Sequence, residues 1–97
     1  MTEKEARKEL MRRANDLDPT VHVGKEGTDK GLMDEIVKQL KKNRLIKVKV
    51  LPNSESDTSE IASEIAEATE SVAVDVRGGV IVLTDKRTWN SLCQKKF

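Results

Sequence analysis

Val21-His22-Val23-Gly24-Lys25-Glu26-Gly27 lies where one repeat pattern gives way to another: apolar and polar residues alternate through Val23, and a helical repeat begins a few residues after Gly27. The alternation buries every second side chain and predicts a short strand over residues 20–23. Beyond the glycines, Leu32, Met33, Ile36, Val37 and Leu40 fall on one face of a helix. A strand that enters a helix through Gly-x-x-Gly can bend its main chain and approach a ligand without Cβ interference. The first N–H groups of the helix suit an anion, and Lys25 adds positive charge between the glycines. Two glycines three apart are also common turn chemistry, so the motif gains weight only from the elements around it.

Upstream, Thr2-Glu3-Lys4-Glu5 has the form of a capping box, and Ala6, Leu10, Ala14 and Leu17 follow at helical spacing. A first helix is predicted over residues 3–16, stopped by Asp18-Pro19. Lys4, Lys8 and Arg12 form one stripe along it with Arg7 beside them, while Glu9 precedes Arg13 by four residues, the order that favours an ion pair within the helix. Downstream, Thr28 is the candidate cap of the second helix, whose outer side carries Lys30, Lys38, Lys41 and Lys42. In Leu45-Ile46-Lys47-Val48-Lys49-Val50-Leu51 the alternation returns, with Ile46, Val48 and Val50 on one face and Lys47 and Lys49 on the other. Asp57-Thr58-Ser59-Glu60 offers a cap for a third helix with Ile61, Ala62, Ile65 and Ala66 inward and Glu60, Glu64 and Glu67 outward. Strands over 72–76 and 80–83 then meet across Arg77-Gly78-Gly79, a tight-hairpin signal. The tail is expected to add a short helix with Trp89, Leu92 and Cys93 on one side.

The order α-β-α-β-α-β-β, without internal repeats, predicts an α/β (α+β two-layer) fold with a four-stranded mixed sheet. Strands separated by helices imply parallel pairing, and the final hairpin is antiparallel. At 97 residues the chain holds one domain, placed at 1–84 with a tail at 85–97. The composition predicts a cytoplasmic protein: no stretch approaches the roughly 20 apolar residues of a membrane span, and the N-terminus is charged from its first turn. With one cysteine and one histidine, neither an internal disulfide nor a Cys/His metal cluster can form, and no cofactor is expected. The net charge of +1 conceals segregation. Residues 1–52 hold 13 Lys/Arg against 9 Asp/Glu, residues 53–76 hold none against 7, and residues 77–97 hold 5 against 1. Such a chain can present one basic face to a polyanion and keep an acidic face away from it.

Leu17-Asp18-Pro19 through Gly24-Lys25-Glu26-Gly27, the helix start from Gly31 to Ile36, Leu45-Ile46-Lys47-Val48-Lys49 and Gly78-Gly79-Val80-Ile81-Val82-Leu83 together resemble the CRM family, the chloroplast RNA-splicing and ribosome-maturation domain. The chain looks like one of its small stand-alone YhbY-like members, of the archaeal kind. The resemblance implies a fold similar to the C-terminal domain of translation initiation factor three, RNA as the partner, and the Gly-x-x-Gly loop as a main contact. It also implies an association with ribosomal RNA in precursors of the large subunit. The chain departs from the family's habit at four places. It has Thr28-Asp29 where Leu-Thr is common, Arg44 where Glu often precedes Leu-Ile-Lys, Glu70-Ser71 in a turn that commonly holds Gly, and Thr84-Asp85 in place of Tyr-Arg.

The expected RNA-binding residues are Gly24, Lys25, Glu26, Gly27, Thr28, Lys30, Arg44, Lys47 and Lys49, with Lys8 and Arg12 from the first helix. Trp89 and Phe97 are the only aromatics, so a base-stacking platform is nearly absent and binding should rest on backbone charge. His22 lies in a strand with no nucleophile implied beside it, which argues against an enzyme, a small-molecule substrate and any catalytic residue. The protein is read as a monomer with no membrane partner. Two alternatives belong to other classes: an Alba-like nucleic-acid coating protein, which shares the strand-helix order, and an adaptor that engages a basic ribosomal protein through the acidic third helix.

Overall fold

The computed structural model describes residues 2–24, 29–51 and 57–93. They form α1 (Glu3–Ala14), β1 (Val21–Val23), α2 (Lys30–Asn43), β2 (Leu45–Val50), α3 (Thr58–Thr69), β3 (Ser71–Arg77), β4 (Val80–Asp85) and α4 (Lys86–Cys93). The expected α+β fold with a four-stranded mixed sheet is the one observed, in the order β1-β2-β4-β3, but helices pack on both faces of the sheet, so it has three layers where two were expected. β1 runs parallel to β2, with Val21 opposite Val48 and Val23 opposite Val50, whereas β4 is antiparallel to both of its neighbours. Parallel pairing across a helix therefore holds for β1 and β2 only. α3 carries the chain past one position in the sheet, and the hairpin returns β4 into the gap. Burial explains why β4 takes that place: Ile81, Val82, Leu83 and Thr84 are buried in succession, as only a strand covered on both faces can be.

One face of the sheet carries the larger core. Ile36 and Leu40 of α2 and Ile61, Ala62 and Ile65 of α3 close over Val21, Val23, Ile46, Val48, Val50, Ile81 and Leu83. The other face carries a smaller cluster in which Leu10 and Ala14 of α1 meet Leu45, Val74 and Val82. Trp89 and Leu92 of α4 pack against this second cluster, so the start of the expected tail forms part of the folded unit and anchors Trp89 by its ring. Phe97 lies outside the described residues. A bulge between Ala73 and Asp75 in β3 turns both Val74 and Asp75 toward the α1 side.

Helix ends follow local chemistry. Thr2 caps α1 in a full capping box, as expected, although α1 ends at Ala14, two residues early. At α2 the cap is Asp29, whose Oδ1 accepts the N–H of Leu32 at 2.8 Å. The longer hairpin strands bring Ser71 and Thr84-Asp85 into the sheet, where Thr84 Oγ1 donates to the Arg44 carbonyl at 2.7 Å. Arg44 and Glu70 close α2 and α3 in the left-handed region, at φ of 68° and 52°. For a residue with a Cβ that conformation costs about 1 kcal/mol. Glu70→Gly is accordingly expected to stabilise the fold by about that amount, a rise of roughly 4–8 °C in Tm. A thermal melt with no rise would mean that the Glu70 side chain offsets the strain.

Candidate nucleic-acid interface

The register of the sheet assembles a charged surface from residues far apart in sequence. His22 lies beside Lys49, Lys49 beside Val80 and Val80 beside Arg77, so one row crosses all four strands. In the next row Lys47 stands beside Val82, which pairs with Asp75. Val82 belongs to the α1-side cluster, which assigns both rows to that face. α1 and α4 pack on it around Leu45, Val74 and Val82, and α1 flanks Asp75 and Arg77 across a groove. At the end of the sheet where β1 finishes, His22, Lys49 and Arg77 are exposed and Lys47 is half-buried.

Three connections meet at this end. Gly24 follows β1, Leu51 follows β2, and the hairpin turn joins β3 to β4. They are tied together by backbone hydrogen bonds from Leu51 N–H to the Val23 carbonyl at 2.9 Å and from Val50 N–H to the Gly79 carbonyl at 2.7 Å. Gly79 is required by its surroundings, since its φ is +78° and an added Cβ would stand 3.2 Å from the Val50 carbonyl oxygen. Gly24 is different. A Cβ there would meet Leu51 Cδ1 at 3.9 Å, an ordinary contact, so packing does not demand glycine at this position. Gly31, exposed in the first turn of α2, likewise has room for a Cβ, although glycine in a helix costs about 1 kcal/mol against alanine.

The candidates from sequence distribute as follows. Lys25, Glu26, Gly27 and Thr28 lie outside the described residues. Gly24, Lys49 and then Lys47 lie toward the loop end on the α1 face of the sheet, while Lys30 opens α2, which packs on the opposite face. Lys8 and Arg12 line a groove of about 440 Å³ whose other wall includes Asp75 and Arg77, so Arg77 links the helix stripe to the sheet row. Arg44 is elsewhere: as the C-cap of α2 it stands a whole helix away from Lys30. His22 and Arg77 were not grouped with the lysines by sequence reading. The Gly78-Gly79 turn could have paired Arg77 with Val80, but the placement of β4 against β2 had no local signal.

Acids moderate this surface. Glu9 takes Arg12 Nη2 at 2.7 Å and Arg13 Nε at 2.9 Å, so part of the basic charge of α1 is held within the helix. Hydrogen bonds from Arg12 and then Arg13 hold the Glu9 carboxyl below its ordinary range, and the same contact raises Arg12. Asp75 Oδ2 lies 3.7 Å from Arg77 Nε. The Asp29 cap accepts one of the N–H groups at the start of α2 and, unlike the Thr28 hydroxyl expected there, brings a negative charge to that helix start. No group of three or more His, Cys, Asp or Glu able to hold a metal occurs among the described residues, and no described helix is long and apolar enough to cross a membrane.

Comparison with known proteins bears on this geometry. A "Probable RNA-binding protein" of Methanocaldococcus jannaschii is 40% identical over 99% of this chain and 78% of its own length. The "Probable RNA-binding protein YqeI" of Bacillus subtilis is 35% identical over 76% of this chain and 77% of its own. The solution structure of a Staphylococcus aureus hypothetical protein, described there as a candidate RNA-binding protein, superposes with a TM-score of 0.75 at 34% identity, covering 89% of this chain and 90% of that one. The sequence profile of the CRS1/YhbY (CRM) domain matches residues 1–83, and the chain belongs to that family.

Proposed function

We propose that this protein binds RNA by its sugar-phosphate backbone, laid across the exposed end of the sheet and against the Gly-x-x-Gly loop. The observation that carries the reading is the row His22, Lys49 and Arg77, with Lys47 beside it, which the strand register brings together on exposed sheet next to Gly24. Cations presented from paired strands are held at fixed spacing, as repeated contact with a regular polyanion requires. Gly24 is consistent with the same reading, since packing leaves room for a Cβ there and a close-approaching ligand would use that space. The names of the relatives agree with it. Trp89 is engaged with the α1-side core, so recognition depends on charge and shape more than on stacking. The RNA is proposed to be ribosomal, bound in precursors of the large subunit, in a cytoplasmic monomer without catalytic activity.

Binding then weakens steeply with salt. Each phosphate neutralised contributes about 0.7–0.9 to the slope of log affinity against log salt concentration. Lys47→Glu with Lys49→Glu removes two contacts and lowers the slope by about 1.4–1.8. Titrating a fluorescent RNA of about 30 nucleotides at several salt concentrations tests this, and an affinity indifferent to salt would overturn the reading. In cells, crosslinking followed by sequencing should enrich large-subunit ribosomal RNA; enrichment of duplex DNA instead would favour a coating protein.

A further inference from the structure

At the end of the sheet away from the loop, three adjoining clefts share one residue, Arg44. One of them, of about 310 Å³, is lined by Arg13, Arg44, Arg87, Thr88, Ser91 and Leu92: three guanidinium groups, two hydroxyls and no carboxylate. Asp85 lines the neighbouring cleft, where Lys41 joins Arg44 and Arg87, and Asp18 lines the third. Arg13 is held by Glu9 through Nε, and neither Arg44 nor Arg87 is in an ion pair among the described residues. The Asp85 carboxylate is already turned inward, with Oδ2 accepting the Thr88 N–H at 3.2 Å.

We propose that this cleft is a second phosphate-binding site, in which Arg13, Arg44 and Arg87 hold a phosphodiester of the same RNA that crosses the loop end. The inference rests on the RNA-binding reading and adds a separate contact to it. α2, with 14 residues, sets the two contacts about 21 Å apart at 1.5 Å per residue. Guanidinium forks match the oxygens of a phosphate in pairs, and the Thr88 and Ser91 hydroxyls can donate to it as well, in a lining without a carboxylate. The cleft is open and runs into its neighbours, which suits a chain passing through. Because Leu92 is its one apolar wall, an apolar peptide side chain is not selected there. The Arg44 backbone is anchored by Thr84, so its left-handed conformation aims the side chain from a fixed point.

The test uses the intact protein and an RNA of about 30 nucleotides. Arg44→Glu with Arg87→Glu should lower the salt slope by about 1.4 and weaken binding at 0.15 M salt about tenfold or more. A second pair, Arg44→Gly with Arg87→Ala, guards against misfolding, because Gly relieves the positive φ. It should melt about 4 °C higher than the parent and still bind about tenfold more weakly. If the parent binds RNA and both pairs bind with its affinity and slope, the second site is wrong while the loop-end reading stands. A parent that binds no RNA removes both. Polyglutamate competing as well as RNA of equal charge, with that competition lost in the variants, would assign the cleft to acidic protein segments and overturn the proposal.

Discussion

Replacing Lys25 and Glu26 together by aspartate is expected to lower RNA affinity about a hundredfold while the protein unfolds as the parent does. The exchange moves the loop by two units of negative charge at the place where the proposed reading brings a phosphate close. Like charges brought together at an interface cost several kcal/mol, and 2.7 kcal/mol is a factor of about 100. The apolar repeats of the sequence include neither position, and a substitution at such a position shifts stability by about 0.5 kcal/mol. Gly24→Ala is the companion variant. Its Cβ has room against Leu51, so it should fold normally and bind more weakly only if a ligand needs the space. RNA titration and thermal unfolding of both variants decide the matter. A double aspartate variant that folds and binds like the parent would remove the loop from the mechanism and leave the sheet row and the α1 groove.

Leu10→Ala is expected to cost about 3 kcal/mol, within the range of 2–5 found when a fully buried leucine is truncated. Leu10 is wholly buried and is the largest apolar side chain that α1 presents to Leu45, Val74 and Val82. That cluster is the smaller of the two, with fewer neighbours able to move into the gap. The urea midpoint should fall with an unchanged m-value if α1 stays docked. A loss below about 1 kcal/mol would mean that α4, through Trp89 and Leu92, holds this side of the sheet without help from Leu10.

The larger core face could be read from sequence because its elements each rest on a local period. Ile46, Val48 and Val50 against Lys47 and Lys49 is a period of two, and Ile36 with Leu40 is a period of four on one helical face. Both appear in the folded chain as read. Parallel pairing of β1 with β2 was expected, but what sequence did not supply is the pairing that departs from chain order. The insertion of β4 between β2 and β3, the row that joins His22 to Arg77, and the convergence of Arg13, Arg44 and Arg87 each bring together residues with no periodic relation. Arg44 shows the difference sharply. Its place directly before the basic strand suggested one continuous surface with Lys47, whereas strand direction sends the lysines toward the loop and leaves Arg44 behind. The cap of α2 was misread for a smaller reason: Thr28 and Asp29 are both good cap residues, and only the backbone path selects Asp29.

The strand order also determines what another chain would meet at the margins of the sheet. The two outer strands are β1 and β3. β1 has three residues, too few to template a partner, and its outward side chain is His22. β3 is longer, with seven residues, but the bulge between Ala73 and Asp75 breaks its ladder, and Asp75 and Arg77 place charges on the stretch that follows. Long, flat, apolar margins are what recruit foreign strands into aggregates. Here the strands with those properties, β2 and β4, are paired on both sides, and the chain's most β-prone segment, Val80–Leu83, is kept out of reach of its neighbours in a concentrated solution.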